Sequence, residues 1–379
     1  MRQPPRPEDF TSPLHDRAVV ARLGVWLGAA FTVCFVTGLI SHVHQHPLPW
    51  LVLPPDPAWG YRVTQGIHVA TGFASLPLLL AKMYAAYPRL FERPLVGSPL
   101  RLLERGSIAV LVSTAFLQVF TGIANVAQWY VFGFGFTAVH WSIAWVAIGA
   151  LVVHIAVKLP AIRQALSRPL AHAAEATDPA VTRDRRWFIR GALSVGAGAV
   201  ALTVGQSFRP LEPIALLAAR HPGRSPLGVP INRTAVQAGI PSGVDESSWR
   251  VILVGPVGSR ELGHAELTSM QQIAARLPMA CVEGWSVDAR WSGVRIRDLV
   301  ALAGGNFGSS VVVESAERHG VYRHSILPAE YAQHPDTLLA LHLAGTRLTL
   351  DHGFPARVIA PGRPGVLQTK WVRRIVVSA

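Results

Sequence analysis

Half of the 379 residues are hydrophobic and only 15% are charged, and mean hydropathy is positive, which excludes a chain that is water-soluble along its whole length. The net charge of +13 divides unevenly: residues 1–209 carry 18 basic and 9 acidic side chains, residues 210–379 carry 17 and 13. With no basic helix interleaved with aromatics, that excess reads as a membrane-topology signal and nucleic acid is set aside as a partner; two cysteines argue against a disulfide framework.

Four stretches satisfy the roughly 17–25 mostly apolar residues of a spanning helix: Leu23 to Ile40, Val63 to Ala81, Ser107 to Val131 and Phe134 to Val157. No Lys or Arg lies between the first two stretches before Arg62, and none between the last two. The connection over 82–105 holds Lys82, Arg89, Arg93, Arg101 and Arg105. The positive-inside rule then puts the N-terminus, this connection and the segment after Lys158 in the cytoplasm. Trp50, Trp59, Tyr61, Trp129, Tyr130 and Trp141 form an expected belt at the outer interface.

Ionisable residues inside such helices are functional candidates by default, and here they are histidines: His68, His140 and His154, with His42 at the outer end of the first stretch. The 14 residues from His140 to His154 turn a helix through about 1400°, within about 40° of four full turns, and rise about 21 Å. Both imidazoles project from one face at two depths, which suits two haems stacked in a helical bundle. Interhelical hydrogen bonding is the competing role.

This segment resembles the four-helix di-haem cytochrome b subunits of the formate dehydrogenase and b561-like group. The resemblance implies haem b, one or two per chain, with His68 and His140 as the pair for the outer haem and His154 as one ligand of the inner haem. The first helix departs from the pattern, because "RLGVW" (Arg22 to Trp26) has no histidine. Either His42 pairs in a rearranged bundle or one haem site is incomplete. His44 and His46 read as loop residues.

A polar Ala/Pro linker follows, and then "RDRRWFIRGALSVGAGAVALTVGQ" from Arg183. The latter resembles a twin-arginine export signal and reads equally as a fifth spanning helix with a basic flank. Both readings put residues from Arg209 onward outside the cytoplasm. The expected organisation is a transmembrane domain over 1–160, a cytoplasmic linker over 161–183, a signal or fifth helix over 184–208 and an extracytoplasmic domain over 209–379.

The last region mixes short β-type runs ("WRVILVG", "SVVVES", "RVIAP", "RRIVVS") with two amphipathic stretches, "ELTSMQQIAARL" and "RIRDLVALAG". The expected class is α+β with strands dominating, so that the whole chain is multi-domain: an all-α transmembrane bundle, a fifth helix, then an α+β domain. Cys281 follows a short apolar strand. A lone cysteine there is most often an inert buried residue, but Arg357, Arg363, Lys370, Arg373 and Arg374 lie among glycines and prolines, the composition of a cradle for a phosphorylated ligand. A thiolate beside such a cradle is a candidate soft metal ligand.

"CVEGW…WSGV…DL" and "DHGFPARVIAPG…KWVRRI", matched in order over most of residues 230–379, resemble the molybdopterin-binding domain of the sulfite oxidase family. The resemblance implies that Cys281 binds molybdenum, that His352, Arg357, Gln368, Thr369 and Lys370 hold the pterin and its phosphate with Asn232 and Ser315, and that Tyr322 is the substrate-side tyrosine. Together the two resemblances imply a membrane-bound molybdopterin oxidoreductase of a bacterial cytoplasmic membrane, transferring an oxygen atom to or from a small oxoanion or sulfoxide and exchanging electrons with a membrane quinone through haem b. Reduction of a sulfoxide with quinol electrons, and a non-catalytic haem relay, stand beside it as alternatives. Arg290, Arg318 and Arg323 are candidates for attracting an anionic substrate.

Overall fold

The computed structural model describes residues 5–48, 50–94, 97–168, 170 and 179–379. Among the described residues, five long helices carry the first half: α1 (Arg17–Gln45), α2 (Gly60–Ala86), α3 (Pro99–Ala127), α4 (Phe136–Ser167) and α5 (Pro179–Val204). All five are long and apolar enough to cross a membrane, as a membrane protein requires. α3 begins where the Ser98 hydroxyl caps the Arg101 N–H and Pro99 takes the first helical position, and ends at Gln128 in the left-handed region with φ 54. This stops it short of the Val131 expected from hydropathy. α4 continues through Ser167 and α5 starts at Pro179, so the segment expected as a linker is helical at both ends. Residues 169 and 171–178 of that segment lie outside the described residues.

The chain divides into two compact units, residues 1–38, 67–204 and 213–219, and residues 39–66, 205–212 and 220–379. Segment 39–66, expected to belong with the helical domain, therefore groups with the C-terminal residues. In the first unit, Val19, Leu23 and Leu27 of α1 bury against Leu78, Leu79 and Ala85 of α2, Ala115 of α3, and Ile189 and Ala192 of α5. Small residues permit close approach without a hydrophobic driving force: a Cβ on Gly196 of α5 would meet Ala74 O of α2 at 3.4 Å.

The second unit holds two five-stranded sheets. The first runs β2 (Gly258–Gly263), β1 (Arg250–Gly255), β10 (Val372–Val377), β5 (Val311–Ser315), β6 (His324–Leu327), with β1 and β10 parallel. The second runs β3 (Ile273–Ala280), β4 (Ser286–Arg295), β7 (Leu338–Leu343), β8 (Thr346–Arg347), with β9 (Arg357–Ile359) also paired to β7. Short helices α6 (His264–Ser269), α7 (Ile296–Leu302) and α8 (Ala329–Gln333) complete it. Strands and helices mix as an α+β class requires.

"ELTSMQQIAARL" departs from expectation. Only its first part is helical, in α6, and Ile273 onward is β3. The reason is the partner strand: against β4 the side chains alternate, so Ala275, Leu277 and Met279 are buried while Ala274 and Arg276 are exposed, a period of two. Pro278 is tolerated because β3 is an edge strand.

β7 is buried on both faces. Leu339 and Leu341 enter one core cluster while Leu338, Ala340 and Leu343 enter the other. The pairing of β4 with β7 shifts register between Ser292 and Gly293. A Cβ on Gly293 would collide with the Leu339 carbonyl, so the bulge needs glycine.

Candidate functional site

Cys281 opens the loop that turns β3 into β4. Its N–H donates to Trp285 O at 2.9 Å and its carbonyl accepts from Gly284 N at 3.0 Å. Gly284, at φ 91, supplies the left-handed conformation that the tight loop requires. "CVEGW" is thus a hairpin loop presenting a thiol that is 2% exposed. Burial, and after it the Glu283 carboxylate, push the thiol pKa up. Asn232 fixes the sulfur: its Nδ2 donates to Cys281 Sγ at 2.8 Å, while its Oδ1 accepts from Trp285 Nε1 at 3.0 Å. Trp285 is a site residue that sequence reasoning passed over, although it stands inside the quoted motif.

A second loop lies alongside. Pro364 forms a parallel bridge with Ala280, and a Cβ on Gly365 would meet Ala280 O at 3.3 Å and Cys281 Cα at 3.7 Å. The chain around it brings buried cations together. Arg357, on β9, donates to His352 O at 3.4 Å and to Met279 Sδ at 3.8 Å, with its guanidinium 5.5 Å from the Trp291 ring. Arg363 donates to Leu367 O at 3.1 Å and Ile326 O at 2.7 Å. Lys370 donates to Arg233 O at 2.5 Å and Asp351 O at 2.9 Å. All three donate to neutral atoms, and among the described residues none is in an ion pair; Glu317 pairs with Arg233 instead, at 3.1 Å. Burial pushes the pKa of Arg357 and of Arg363 down to about 10. For Lys370, burial and then the charge of Arg357 push it down to about 7. Glu317 and Asp351 offset the charge of Lys370 only in part, and buried cations without an ion-pair partner need an anion or lose charge.

The remaining expected residues brace this cradle. His352, also held below its ordinary pKa by burial, hydrogen-bonds through Nδ1 to Thr349 Oγ1 at 2.8 Å and through Nε2 to Val229 O at 3.0 Å. Gly353 at φ 107 packs between Lys370 and Arg357, whose Cβ atoms would lie 3.0 and 3.2 Å from a side chain there. Gln368 Nε2 donates to Arg363 O at 2.9 Å, Thr369 Oγ1 pairs with Ser325 Oγ at 2.6 Å, and Ser315 Oγ donates to Lys370 O at 2.8 Å. Arg357 Nε and Gln368 Oε1 are buried with no hydrogen-bond partner among the described residues. Tyr322 is half-buried, and its phenol pKa is pushed up by burial and then by Cys281.

Arg373 and Arg374 do not join the cradle. On β10 they reach Glu314 at 3.4 and 3.8 Å on the sheet surface. Arg290, Arg318 and Arg323 are exposed.

In the helical unit the His68 and His140 ring centroids are 6.1 Å apart at 74°. His68 Nδ1 is held by Cys34 O at 2.9 Å and Thr37 Oγ1 at 3.2 Å, and His140 Nδ1 by Thr121 Oγ1 at 2.9 Å. Glycines make room: a Cβ on Gly38 or Gly122 would stand 3.3 Å from His68 Cε1 or 3.4 Å from His140 Cε1. His154 Nδ1 is buried with no partner among the described residues. Lys82, Lys158 and Glu104 are its charged neighbours. His42 falls in the other unit, its ring 4.7 Å from that of His46.

Residues 237–379 match the family model of the oxidoreductase molybdopterin binding domain. The chain is 34% identical over 164 residues to sulfite oxidase of Gallus gallus, covering 36% of each chain. It is 29% identical over 140 residues to the putative protein-methionine-sulfoxide reductase subunit YedZ1 of Azospira oryzae, covering 36% of this chain and 51% of that one. To nitrate reductase [NAD(P)H] of Hordeum vulgare it is 39% identical over 97 residues, covering 23% and 11%. It thus spans about half or less of each of these relatives. The thiol loop, the buried cations and the matched residues define a molybdopterin-binding oxidoreductase domain. Helices of membrane-spanning length lie ahead of that domain.

Proposed function

We propose that the protein is a membrane-bound oxidoreductase that transfers an oxygen atom to or from a small sulfur oxyanion or sulfoxide outside the cytoplasm. The observation that carries this reading is the Cys281 loop lying against the Gly362–Gln368 segment, with the buried Arg357 and Arg363 and the half-buried Lys370 in no ion pair among the described residues. The fit to a molybdenum cofactor is chemical. Among the described residues, no group of three or more His, Cys, Asp or Glu is placed to hold a metal ion, so a metal at Cys281 draws its other donors from a cofactor. Arg357, Arg363 and Lys370 provide the charge that a pterin phosphate needs, and Arg357 Nε and Gln368 Oε1 are a donor and an acceptor left over for it. When bound, the molybdenum cofactor supplies two-electron oxygen-atom transfer. The chain's own residues orient and enclose. Asn232 directs the sulfur, Trp285 and Trp291 exclude water, His352 and Gly353 set the two cradle segments, and Tyr322 offers a phenol proton on the substrate side.

Electrons would reach or leave this site through haem b. His68 and His140, whose rings lie 6.1 Å apart with each Nδ1 hydrogen-bonded, would hold the haem iron through their Nε2 atoms. His154 would serve a second haem. A membrane quinone is the expected redox partner. The basic connection between α2 and α3 supports a cytoplasmic N-terminus and an extracytoplasmic catalytic domain, with Arg185 and Arg186 of α5 as an export signal. Similarity to a putative methionine-sulfoxide reductase subunit favours the reductive direction as the second reading.

The test is metal and haem analysis of detergent-extracted protein, followed by assays with sulfite and with methionine sulfoxide. About one molybdenum and one or more haems per chain are expected. Haem without molybdenum, in a host that makes the cofactor, would refute the catalytic reading.

A further inference from the structure

The segment between α1 and α2, with the first turns of α2, was expected to be an outer loop with interfacial aromatics. Trp50 and Trp59 are indeed exposed, but Tyr61 is 1% exposed and Gln65 4%. Within the second unit this stretch reaches the Gly362 segment, β4 and the Cys281 loop. Leu53 O accepts from the Tyr331 hydroxyl at 3.0 Å, and the Arg363 guanidinium lies 5.8 Å from that same ring. Pro55 O occupies the space of a Gly362 Cβ, 2.5 Å away, so the cradle segment can lie against it only with glycine at φ 63. Asp56 meets His334 at 3.1 Å, and Arg62 pairs with Asp288 of β4. Ala58 packs on the cluster that contains Cys281 and Trp285. Gln65 Nε2 donates to the carbonyl of Val282, the residue after the thiol, at 2.7 Å. Tyr61 bonds Ser41 Oγ at 3.3 Å, meets the His44 ring edge-on at 5.2 Å, and lies within electrostatic reach of both Cys281 and Tyr322.

We propose that residues 52–65 are a strap that completes the thiol site, with Gln65 and Tyr61 as positioning residues: Gln65 pins the Cys281 loop through Val282, and the buried Tyr61, one helical turn before it, anchors the strap through Ser41 and His44. The proposal rests on the reading of Cys281 as the molybdenum ligand only for its spectroscopic consequence; its structural content stands without the metal. A buried polar group is retained where it satisfies another, and Gln65 does so for a carbonyl that the tight hairpin loop leaves free. The 52–65 sequence carries no cofactor-type motif, which is why sequence reasoning passed over it.

The experiment uses the full-length chain with Gln65→Met, which keeps the volume and removes the amide, Tyr61→Phe, and Trp50→Ala as an exposed control. In cofactor-free protein, alkylation of Cys281 by iodoacetamide is followed by peptide mass spectrometry, with Cys34 as the internal reference. Gln65→Met should speed Cys281 alkylation about tenfold, the equivalent of one buried hydrogen bond, with Cys34 unchanged. In the loaded protein both strap variants should shift the Mo(V) electron paramagnetic resonance signal at unaltered molybdenum content, and Trp50→Ala should leave both readouts at wild-type values. Equal alkylation rates in wild type and Gln65→Met would overturn the strap. So would a faster rate at Cys34 and Cys281 alike, which reports general loosening. Failure of wild type to hold molybdenum would refute the function proposed above and leave the alkylation result to decide the strap by itself.

Discussion

Replacing Lys370 by methionine should stabilise the cofactor-free protein and weaken its hold on the cofactor. Burial lowers the ammonium pKa from 10.5 to about 7, which costs the folded chain roughly 4 kcal/mol at pH 7, each factor of ten being about 1.4 kcal/mol. Methionine fills the space without the charge, but leaves Arg233 O and Asp351 O without their donor, returning about 1 kcal/mol each. The net gain of about 2 kcal/mol raises the melting temperature of a unit this size by about 6 °C. The sign with pH follows from linkage. Between pH 7 and 10.5 the unfolded chain holds a proton that folded Lys370 has lost, so wild-type stability rises with pH across that window, and the variant loses this rise. Bound phosphate reverses the balance by favouring the charged form, so cofactor retention should fall as pH climbs above 7 in wild type and show no such trend in Lys370→Met. Thermal unfolding followed by tryptophan fluorescence from pH 6 to 10, with molybdenum content on the same samples, reads both. Parallel pH slopes in the two proteins would refute the buried-cation argument.

His68→Ala and His140→Ala should each remove one haem per chain from the reduced-minus-oxidised spectrum; an unchanged haem content would exclude that pair as ligands. Gly353→Ala places a methyl at φ 107 within 3.0 Å of Lys370 Cβ and should cost about 2–4 kcal/mol, read as a lower denaturation midpoint together with loss of molybdenum. Leu339→Ala, in the strand buried on both faces, should cost about 2–5 kcal/mol while leaving the haem spectrum intact, a separation that unfolding of each unit on the same sample would test. Cys281→Ser should abolish turnover, and retained activity would exclude the thiolate as a metal ligand.

Hydropathy alone placed four spanning helices, because such a segment must be about 20 apolar residues long whatever surrounds it, and left the segment after Arg183 open between an export signal and a fifth helix. The four β-type runs read from residues 249–255, 310–315, 357–361 and 373–378 became β1, β5, β9 and β10, since alternation and β-branched residues are local signals. Motif order put Cys281, Arg357, Gln368 and Lys370 into one expected site, and the Ala280–Pro364 bridge lays the segment before Gln368 against the Cys281 loop. What sequence could not decide were the questions that need a partner. "IAARL" fits a helix by composition, and only pairing with β4 makes it a strand. Arg357 and Arg373 look alike in sequence, yet one lies under Trp291 and the other reaches Glu314 on a sheet surface, because β9 and β10 belong to different sheets with different partners. The strap was least legible: Tyr61 and Gln65 lie more than 200 residues from Cys281, and contact at that separation is written in the close packing of backbone against backbone, as at Pro55 and Gly362, where no periodicity or motif records it.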